Sequence, residues 1–324
     1  MKNSTAPNRK TGRMIAKNLI VLFTVALAGF CGIQAWFTDK RSAEANGIEV
    51  ECQAPDGIEI AVVGHDAPVP ANDKYTVGNI TLNKTNCKFL ENLQLTEITG
   101  DGTFFRKPAL IQSGGQAHVD TKAEWSEPTA NEHYLSFDLY IRSKSQYNIS
   151  IGKKSTIKPD APQLTTQDGN FSRDSVVGAV RFSVVDYKSA PPSKKLLWLP
   201  APNILLEQTT DVYTLSDDKE NGDSYSHVYY NTKKEKKTVS STDVDSAFVV
   251  NNKGFVDGKF TYELGKNKSI AELKKSSDTD TDPYYGDYGA MVTCNMWIEG
   301  EDAEARLALV NGKFKVNLVL TKES

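Results

Sequence analysis

Apolar and polar side chains alternate along most of the chain from residue 48 onward. Ile48, Val50 and Cys52 fall on one side of an extended segment, and the glutamates between them fall on the other. The alternation resumes over residues 58–63, after a Pro-Asp-Gly sequence that is typical of a turn. A period of two residues indicates a strand with one buried face, so residues 48–63 are predicted to form a β-hairpin.

The same period predicts a second hairpin in the middle of the chain. Residues 135–141 carry apolar side chains at every second position, and the alternation returns over residues 147–151 after a polar turn. Four more segments have the composition of strands. They are residues 76–83, 88–98, 176–185 and 259–264.

Near the C-terminus, Asn-Gly at residues 311–312 separates two alternating runs. A two-residue turn there sets Leu309 opposite Phe314 and Leu307 opposite Val316, so all four side chains share one face. Residues 301–309 also have a helix-forming composition, and a short helix before the last strand is the alternative.

No long segment carries apolar residues at helical spacing, which favours an all-β fold. We therefore expect an antiparallel β-sandwich of the jelly-roll type over residues 48–324, preceded by a flexible lead at residues 36–47. Residues 205–245 and 265–288 are polar and rich in Asp, Ser, Thr and Lys. They are predicted to be long hairpins or loops inserted in the sandwich.

The N-terminus has the pattern of a secretory signal. Residues 1–17 hold five cations and no acid, residues 19–33 are apolar with a single polar side chain, and the small Ala35 follows. These features predict a signal peptide over residues 1–35, cleaved between Ala35 and Trp36 by a signal peptidase. The alternative is an uncleaved membrane anchor, and in both cases the body of the protein is expected outside the cell.

Charge excludes one class of partner. Removal of five of the 38 basic residues with the signal leaves 33 against 41 acidic residues, a net charge of -8. Nucleic acid binding needs a basic face, so no nucleic-acid partner is expected.

Cysteine usage leaves two alternatives open. Three cysteines follow the predicted cleavage site, and pairing Cys52 with Cys87 would close a loop of 35 residues. The alternative is that all three are free buried thiols. Cys294 shares the core-facing side of its strand with Val292 and Met296, so a free thiol is preferred there.

Metal chemistry has weak support in the sequence. The histidines after the signal (His65, His118, His133 and His227) show no spacing typical of a zinc site, which argues against a metal-dependent hydrolase. Asp278, Asp280 and Asp282 alternate as in the start of a calcium loop. Pro283 excludes an EF-hand, so loose calcium binding and a solvated acidic loop remain the alternatives, and no other cofactor is expected.

Aromatic residues gather in the two polar insertions. These residues are Tyr225, Tyr229, Tyr230, Tyr284, Tyr285 and Tyr288. Exposed tyrosines there would form a contact surface for a sugar or a protein, and packing against their own sandwich is the alternative. No GxSxG sequence or cysteine-protease signature is present, so no catalytic residue is assigned and the protein is not expected to be an enzyme.

The junction VALAGFCGIQAWFTDK resembles signal peptides that Gram-positive bacteria process with a SipW-type signal peptidase. A small residue, Ala35, is followed there by Trp36, Phe37, Thr38 and Asp39. Proteins with this junction include the TasA and camelysin family of biofilm-matrix and spore-coat proteins. Segments such as YLSFDLYIRS and VGAVRFSVVD look like parts of uncharacterised secreted proteins of gut Firmicutes.

The resemblance implies a jelly-roll-like sandwich and assembly by donation of an N-terminal strand to the next subunit. Ile48, Val50 and Cys52 are the candidate donor face, and pairing of this strand within its own subunit is the alternative. The metalloprotease activity linked to camelysin does not carry over, because the chain shows no zinc-binding helix.

Together these observations predict a secreted, non-enzymatic structural protein of the cell surface or biofilm matrix. Its expected partners are further copies of itself or other matrix and surface proteins, and its only membrane contact is through an uncleaved signal segment. The alternative function is a surface adhesion or carbohydrate-binding module, assisted by calcium.

Overall fold

The structure is a computed structural model of the full chain. It describes residues 49–107, 110–113, 116–119, 125–160, 176–200, 249–251, 255–256, 259–260, 262–275, 288–299 and 313–323. The predicted signal peptide with its cleavage site, the lead segment, and residues 205–245 all lie outside the described residues.

The described residues form strands with almost no helix, which confirms the predicted all-β class. The strands are β1 (Glu49–Gln53), β2 (Ile58–Gly64), β3 (Asn79–Leu82), β4 (Glu97–Gly100), β5 (Phe105–Arg106), β6 (Leu110–Ser113), β7 (Gln116–Val119), β8 (Leu135–Ser143), β9 (Asn148–Ile151), β10 (Thr156–Pro159), β11 (Val180–Asp186), β12 (Ser193–Leu199), β13 (Val249–Asn251), β14 (Phe255–Val256), β15 (Lys259–Phe260), β16 (Lys268–Glu272), β17 (Lys274–Lys275), β18 (Tyr288–Glu299) and β19 (Phe314–Glu323). One short helix, α1 (Val176–Ala179), and two 3-10 turns, Asn72–Lys74 and Lys88–Leu90, accompany them.

Two sheets make up the sandwich. The six-stranded sheet has the order β16-β9-β19-β1-β3, with β10 also paired to β19. The nine-stranded sheet has the order β13-β12-β11-β18-β4-β5; β8 and β17 also pair with β18, and β2 pairs with β8. Two small hairpins, β6-β7 and β14-β15, form separate two-stranded sheets.

The core consists of the alternate side chains of both sheets. On β8 and β18 the inward set matches the prediction from period-two counting, and Cys294 lies within it, fully buried. The C-terminal strand β19 contributes four buried apolar side chains from the other sheet. The long inward residues of these strands are Leu135, Phe137, Leu139, Ile141, Val292, Met296, Ile298, Phe314, Val316, Leu318 and Leu320.

The predicted hairpin over residues 48–63 is wrong. β1 pairs with β19 in parallel and with β3 in antiparallel orientation, whereas β2 pairs with β8 in the other sheet. Residues 54–57 therefore carry the chain across the sandwich, with Gly57 at a φ of 75° that favours glycine. Alternation identifies the buried face of a strand but not its partner, which is why the two strands looked like a hairpin.

The predicted hairpin over residues 135–151 is wrong for the same reason. β8 pairs with β18 and β2, whereas β9 pairs with β19 and β16 in the six-stranded sheet. Both strands carry alternating apolar residues because each faces the shared core, and the polar turn between them changes sheets.

Other predicted elements are shorter than expected or differ in type. Part of the segment 88–98 is a 3-10 turn before β4, and the segment 176–185 begins with α1 before β11. Residues 268–275, predicted to lie in a polar insertion, belong to the sheets as β16 and β17, with Ile270 and Leu273 in the core. The predicted C-terminal turn and the run before it lie outside the described residues.

Candidate functional site

A row of buried polar side chains crosses the outer face of the nine-stranded sheet, the face turned away from the core. It consists of Ser136 and Asp138 on β8, Thr293 and Asn295 on β18, and Ser183 on β11. All five are between 0 and 4% exposed. We call these five residues the polar stripe, and buried polar groups of this kind need hydrogen-bond partners.

The stripe is connected across three strands by residues that stand opposite each other. Thr293 Oγ1 donates to Asp138 Oδ1 at 2.7 Å, and Ser136 Oγ donates to Asn295 Oδ1 at 2.7 Å. Asn295 Nδ2 in turn donates to Ser183 Oγ at 3.4 Å. Each pair is also a register pair of the sheet, so the side-chain bonds and the backbone ladder specify the same alignment.

His65, in the turn after β2, packs over the stripe. Its Nδ1 lies 3.0 Å from Asp138 Oδ1, and its backbone N–H donates to the Ser136 carbonyl at 3.3 Å. Asp66 follows with a φ of 62°, and its exposed carboxylate lies 3.6 Å from His65 Nε2. The ring is therefore placed between one buried and one exposed carboxylate.

The surroundings of His65 change its proton affinity. The hydrogen bond with Asp138 raises the pKa of His65, burial opposes this change, and the charges of Asp138 and Asp66 add to it. A protonated imidazole carries N–H groups on both nitrogens, so it donates to Asp138 while its charge attracts the Asp66 carboxylate.

A second turn, residues 101–104, covers the stripe beside β11. Asp101 Oδ1 accepts the backbone N–H groups of Thr103 and Phe104, both at 2.8 Å, which closes the turn. Ser183 Oγ donates to the Gly102 carbonyl at 2.7 Å. Gly102 has a φ of 88°, and a Cβ there would come within 3.0 Å of the Ser183 Cβ, so the turn lies directly on the sheet.

An ion pair fastens the same turn to β12. Lys194 Nζ lies 2.7 Å from Asp101 Oδ2, and both side chains are less than one fifth exposed. Burial works against the charged carboxylate, but the Lys194 charge and hydrogen bond, together with two backbone N–H groups, lower the pKa of Asp101. The Asp101 carboxylate therefore stays charged at neutral pH.

Two tyrosines complete the cover. Tyr187 donates its hydroxyl to the Thr103 carbonyl at 2.9 Å, and its ring centre is 5.5 Å from that of His65. The Tyr134 ring stacks on Phe105 with centres 4.5 Å apart. Burial is the largest cause that raises the pKa of both phenols, to about 12 for Tyr134, so both remain neutral at ordinary pH.

A histidine oriented by a buried carboxylate can act in principle as a general base or a metal ligand. The hydroxyls of Ser136, Ser183 and Thr293 all donate within the stripe or to its cover, so none is directed at His65 Nε2. Among the described residues, no group of three or more His, Cys, Asp or Glu side chains is arranged to hold a metal ion. The hydrogen bonds that are present attach the covering turns to the sheet.

Several residues singled out from the sequence lie outside the described residues. They are Ala35, Trp36, Ile48, Tyr225, Tyr229, Tyr230, Asp278, Asp280, Asp282, Tyr284 and Tyr285. Tyr288 is described: it begins β18 opposite Ser143 and packs, partly buried, against the core. Its position matches the alternative in which the tyrosines pack on their own sandwich.

The candidate strand donor is part of the core of its own chain. Val50 and Cys52 are at most 1% exposed and point into the core, and their strand lies between β19 and β3 in the sheet. Intramolecular pairing, the alternative to donation, is therefore the state that this structure shows, although the partners are β19 and β3 rather than β2.

Of the two alternatives left open for the cysteines, the structure shows the free thiols: Cys52 and Cys294 are buried, and Cys87 is partly buried. Cys52 lies in the core, where burial and the charge of Glu51 raise the pKa of its thiol to about 12. Burial also raises the pKa of Cys294 well above its ordinary value. Thiols of this kind are inert, so Cys52 and Cys294 act as small hydrophobic residues.

The polar stripe and its cover were not predicted from the sequence. An aspartate in the middle of an otherwise apolar strand, as in Leu-Ser-Phe-Asp-Leu, was the available signal. Alternation places Ser136, Asp138, Thr293 and Asn295 on the side of their strands opposite the core, and the turns that bury them are remote in sequence.

Comparison of the chain with protein-family models, with curated proteins and with solved structures gives no match. Within the described part of the chain, no helix has both the length and the apolar character needed to cross a membrane.

Proposed function

We propose that the chain is a secreted, non-enzymatic structural protein of a Gram-positive cell surface or biofilm matrix that assembles by exchange of its N-terminal strand. The observation that carries this proposal is the position of β1. This first described strand lies between β19 and β3. Neither neighbour is joined to β1 by a short loop, so the pairing does not require that β1 belong to the same chain.

The position between β19 and β3 can accept β1 of the same chain or β1 of another copy. Its neighbours offer a row of backbone donors and acceptors on each side, and the core offers the sites for Val50 and Cys52. An identical strand from a second copy would make the same contacts, so the exchange costs few interactions. Residues 54–57, which already cross between the sheets, are the hinge that such an exchange requires.

Export is the sequence-based part of the proposal. The cations of residues 1–17, the apolar run 19–33 and the junction at Ala35 and Trp36 support cleavage by a signal peptidase and an extracellular location. Cleavage would free the residues before β1 from the membrane, which an exchange between copies needs.

The test is to fix β1 within its own chain. Glu51 on β1 stands opposite Thr81 on β3, so Glu51→Cys with Thr81→Cys, in a Cys87→Ser background, places two cysteines at facing positions. We expect the exported wild-type protein to form oligomers or filaments in electron micrographs. The oxidised double variant should remain monomeric, and reduction should restore its assembly.

The matched control is a second pair that joins strands other than β1. Asn148 on β9 stands opposite Glu323 on β19, and the pair Asn148→Cys with Glu323→Cys should leave assembly unchanged. Assembly of the oxidised β1-β3 variant would reject strand exchange. A wild-type protein that stays monomeric after export would reject the assembly function as a whole.

A further inference from the structure

Among the described residues, His65 and Thr293 donate to Asp138, and of these two His65 is the one that can carry a positive charge. The other is the Thr293 hydroxyl, and the Asp138 side chain is almost completely buried. A buried carboxylate is far better placed beside a charged donor than beside neutral donors alone. The protonation state of His65 therefore determines how well this part of the polar stripe is satisfied.

We propose that His65 is a proton-controlled clamp, which in its protonated form bridges Asp138 and Asp66 and holds the turn of residues 64–66 on the polar stripe. Loss of the proton as the pH rises weakens this attachment. The clamp is independent of the assembly proposed above.

The geometry explains the difference between the two states. The imidazolium donates from Nδ1 to Asp138 and faces Asp66 with Nε2–H, 3.6 Å away. A neutral ring that keeps its proton on Nδ1 presents a lone pair to the Asp66 carboxylate, and the attraction between opposite charges is lost on both sides. The neutral ring is thus held by one hydrogen bond in place of a charged bridge.

Asp101, Tyr187 and Tyr134, which lie around the polar stripe, do not change state near neutral pH. The pKa of Asp101 is lowered, and Asp101 is paired with Lys194 across the stripe. Burial raises the pKa of Tyr187, whose ring contacts His65, and of Tyr134. His65 itself has a raised pKa, so its proton is lost on the alkaline side of its ordinary range.

The direction of the pH effect follows from this shift. A histidine whose pKa is higher in the folded state contributes stability that is complete below its unfolded pKa, about 6.5. That contribution is lost as the pH rises through the folded value. The clamp is therefore closed in mildly acidic conditions and weakens as the pH rises.

The first test is an NMR titration of the imidazole rings in the full chain, held in a mild detergent. The variant His65→Asn identifies the His65 signal, because that signal disappears from its spectrum. We expect the His65 signal to titrate with a pKa above 6.5. Its titration curve should show a single step, with no second step from another histidine. A pKa at or below 6.5 would overturn the proposal. This pKa is measured on the wild-type protein, so the result does not depend on the stability of a variant.

The second test measures the turn itself by amide hydrogen exchange. The N–H groups of His65 and Ala67 are bonded to the carbonyls of Ser136 and Gly64, so their protection reports attachment of the turn. After correction for intrinsic exchange, we expect protection to fall about threefold to tenfold between pH 6 and pH 8.5. In His65→Asn, which keeps a neutral donor for Asp138, protection should be low at both pH values.

The matched control is His133→Asn. His133 lies beside Lys107 and Glu132 and has a lowered pKa, since burial and the Lys107 charge disfavour its protonation. This variant should keep the pH dependence of the turn at residues 64–66. The same pH dependence in His65→Asn as in the wild-type protein would contradict the clamp.

Discussion

The two faces of the nine-stranded sheet are both buried, but different forces hold them. On the inner face, β8 presents Phe137 and Leu139 to an apolar core shared with the other sheet. On the outer face, the same strand presents Ser136 and Asp138 to hydrogen-bond partners on β18 and in the covering turns. A buried position in this sheet can therefore require either an apolar side chain or a polar side chain with hydrogen-bond partners.

The two faces differ in the free-energy cost of removing a side chain. Apolar contacts have no direction, so a deletion on the inner face costs the transfer free energy of the missing atoms and the cavity that they leave. Hydrogen bonds of the polar stripe are directional and join register pairs, so a deletion on the outer face leaves a specific partner unsatisfied. The apolar inner face therefore contributes through burial, and the polar stripe contributes through hydrogen bonds between strands in register.

The largest effect is expected from Phe137→Ala. This side chain is fully buried in the core of the sandwich, and truncation should lower the free energy of unfolding by about 3–5 kcal/mol. Denaturant unfolding measures the change. Phe104→Ala is the control, because Phe104 is 55% exposed and its loss should cost about 0.5 kcal/mol or less. Equal costs for the two variants would contradict the assigned core.

The next effect is expected on the outer face from Asp138→Ala. The change removes the acceptor of Thr293 and His65 and should lower the free energy of unfolding by about 2–3 kcal/mol. Asp138→Asn should cost less, because its amide oxygen can still accept from Thr293.

A double-mutant cycle with Thr293→Val separates the hydrogen bond from simple burial. If Asp138 and Thr293 stabilise the fold through each other, the double variant Asp138→Ala/Thr293→Val should cost less than the sum of the single changes. Additive costs in the same unfolding measurement would show that the two groups act independently.

A smaller effect is expected from Lys194→Met, which leaves Asp101 partly buried without its ion-pair partner. We expect a loss of about 1–2 kcal/mol at pH 7, read from denaturant unfolding. Because the pKa of Asp101 is lowered in the folded state, its contribution is present above the unfolded value, about 3.9, and is lost as the pH falls through the folded value. Wild type and variant should therefore converge in stability at low pH, and a difference that persists there would contradict this ion pair as the cause.

The sequence was sufficient to predict the class of fold and the inner face of the sheet. Period-two counting placed Cys294, Val292 and Met296 on the core side, and all three are buried there. The pairing of strands was not predictable in the same way. β1 and β2 carry matching patterns and a turn sequence between them, yet they lie in different sheets, since alternation is satisfied by any partner that leaves the apolar face inward.

The polar stripe was not predictable because its cover comes from elsewhere in the chain. Ser136 and Asp138 have the pattern of a solvated face, and the turns at residues 64–66 and 101–104, together with Tyr187, exclude water from the stripe. Local sequence contains no signal for a contact between residues 73 positions apart, as His65 and Asp138 are. A buried aspartate of this kind becomes recognisable when the long-range contacts are known.

The smallest effect is expected from Asn79→Ala, on the outer face of the six-stranded sheet. Asn79 Nδ2 donates to Glu51 Oε1 at 2.6 Å, a bond between an amide and a carboxylate that is exposed to water. Because water replaces the lost partner, removal should cost about 0.5 kcal/mol or less, against the several-fold larger cost of Asp138→Ala. The two changes disrupt similar hydrogen bonds in different surroundings, and unfolding in denaturant compares them directly. A cost for Asn79→Ala equal to that of Asp138→Ala would mean that exclusion of water is not what gives the polar stripe its importance.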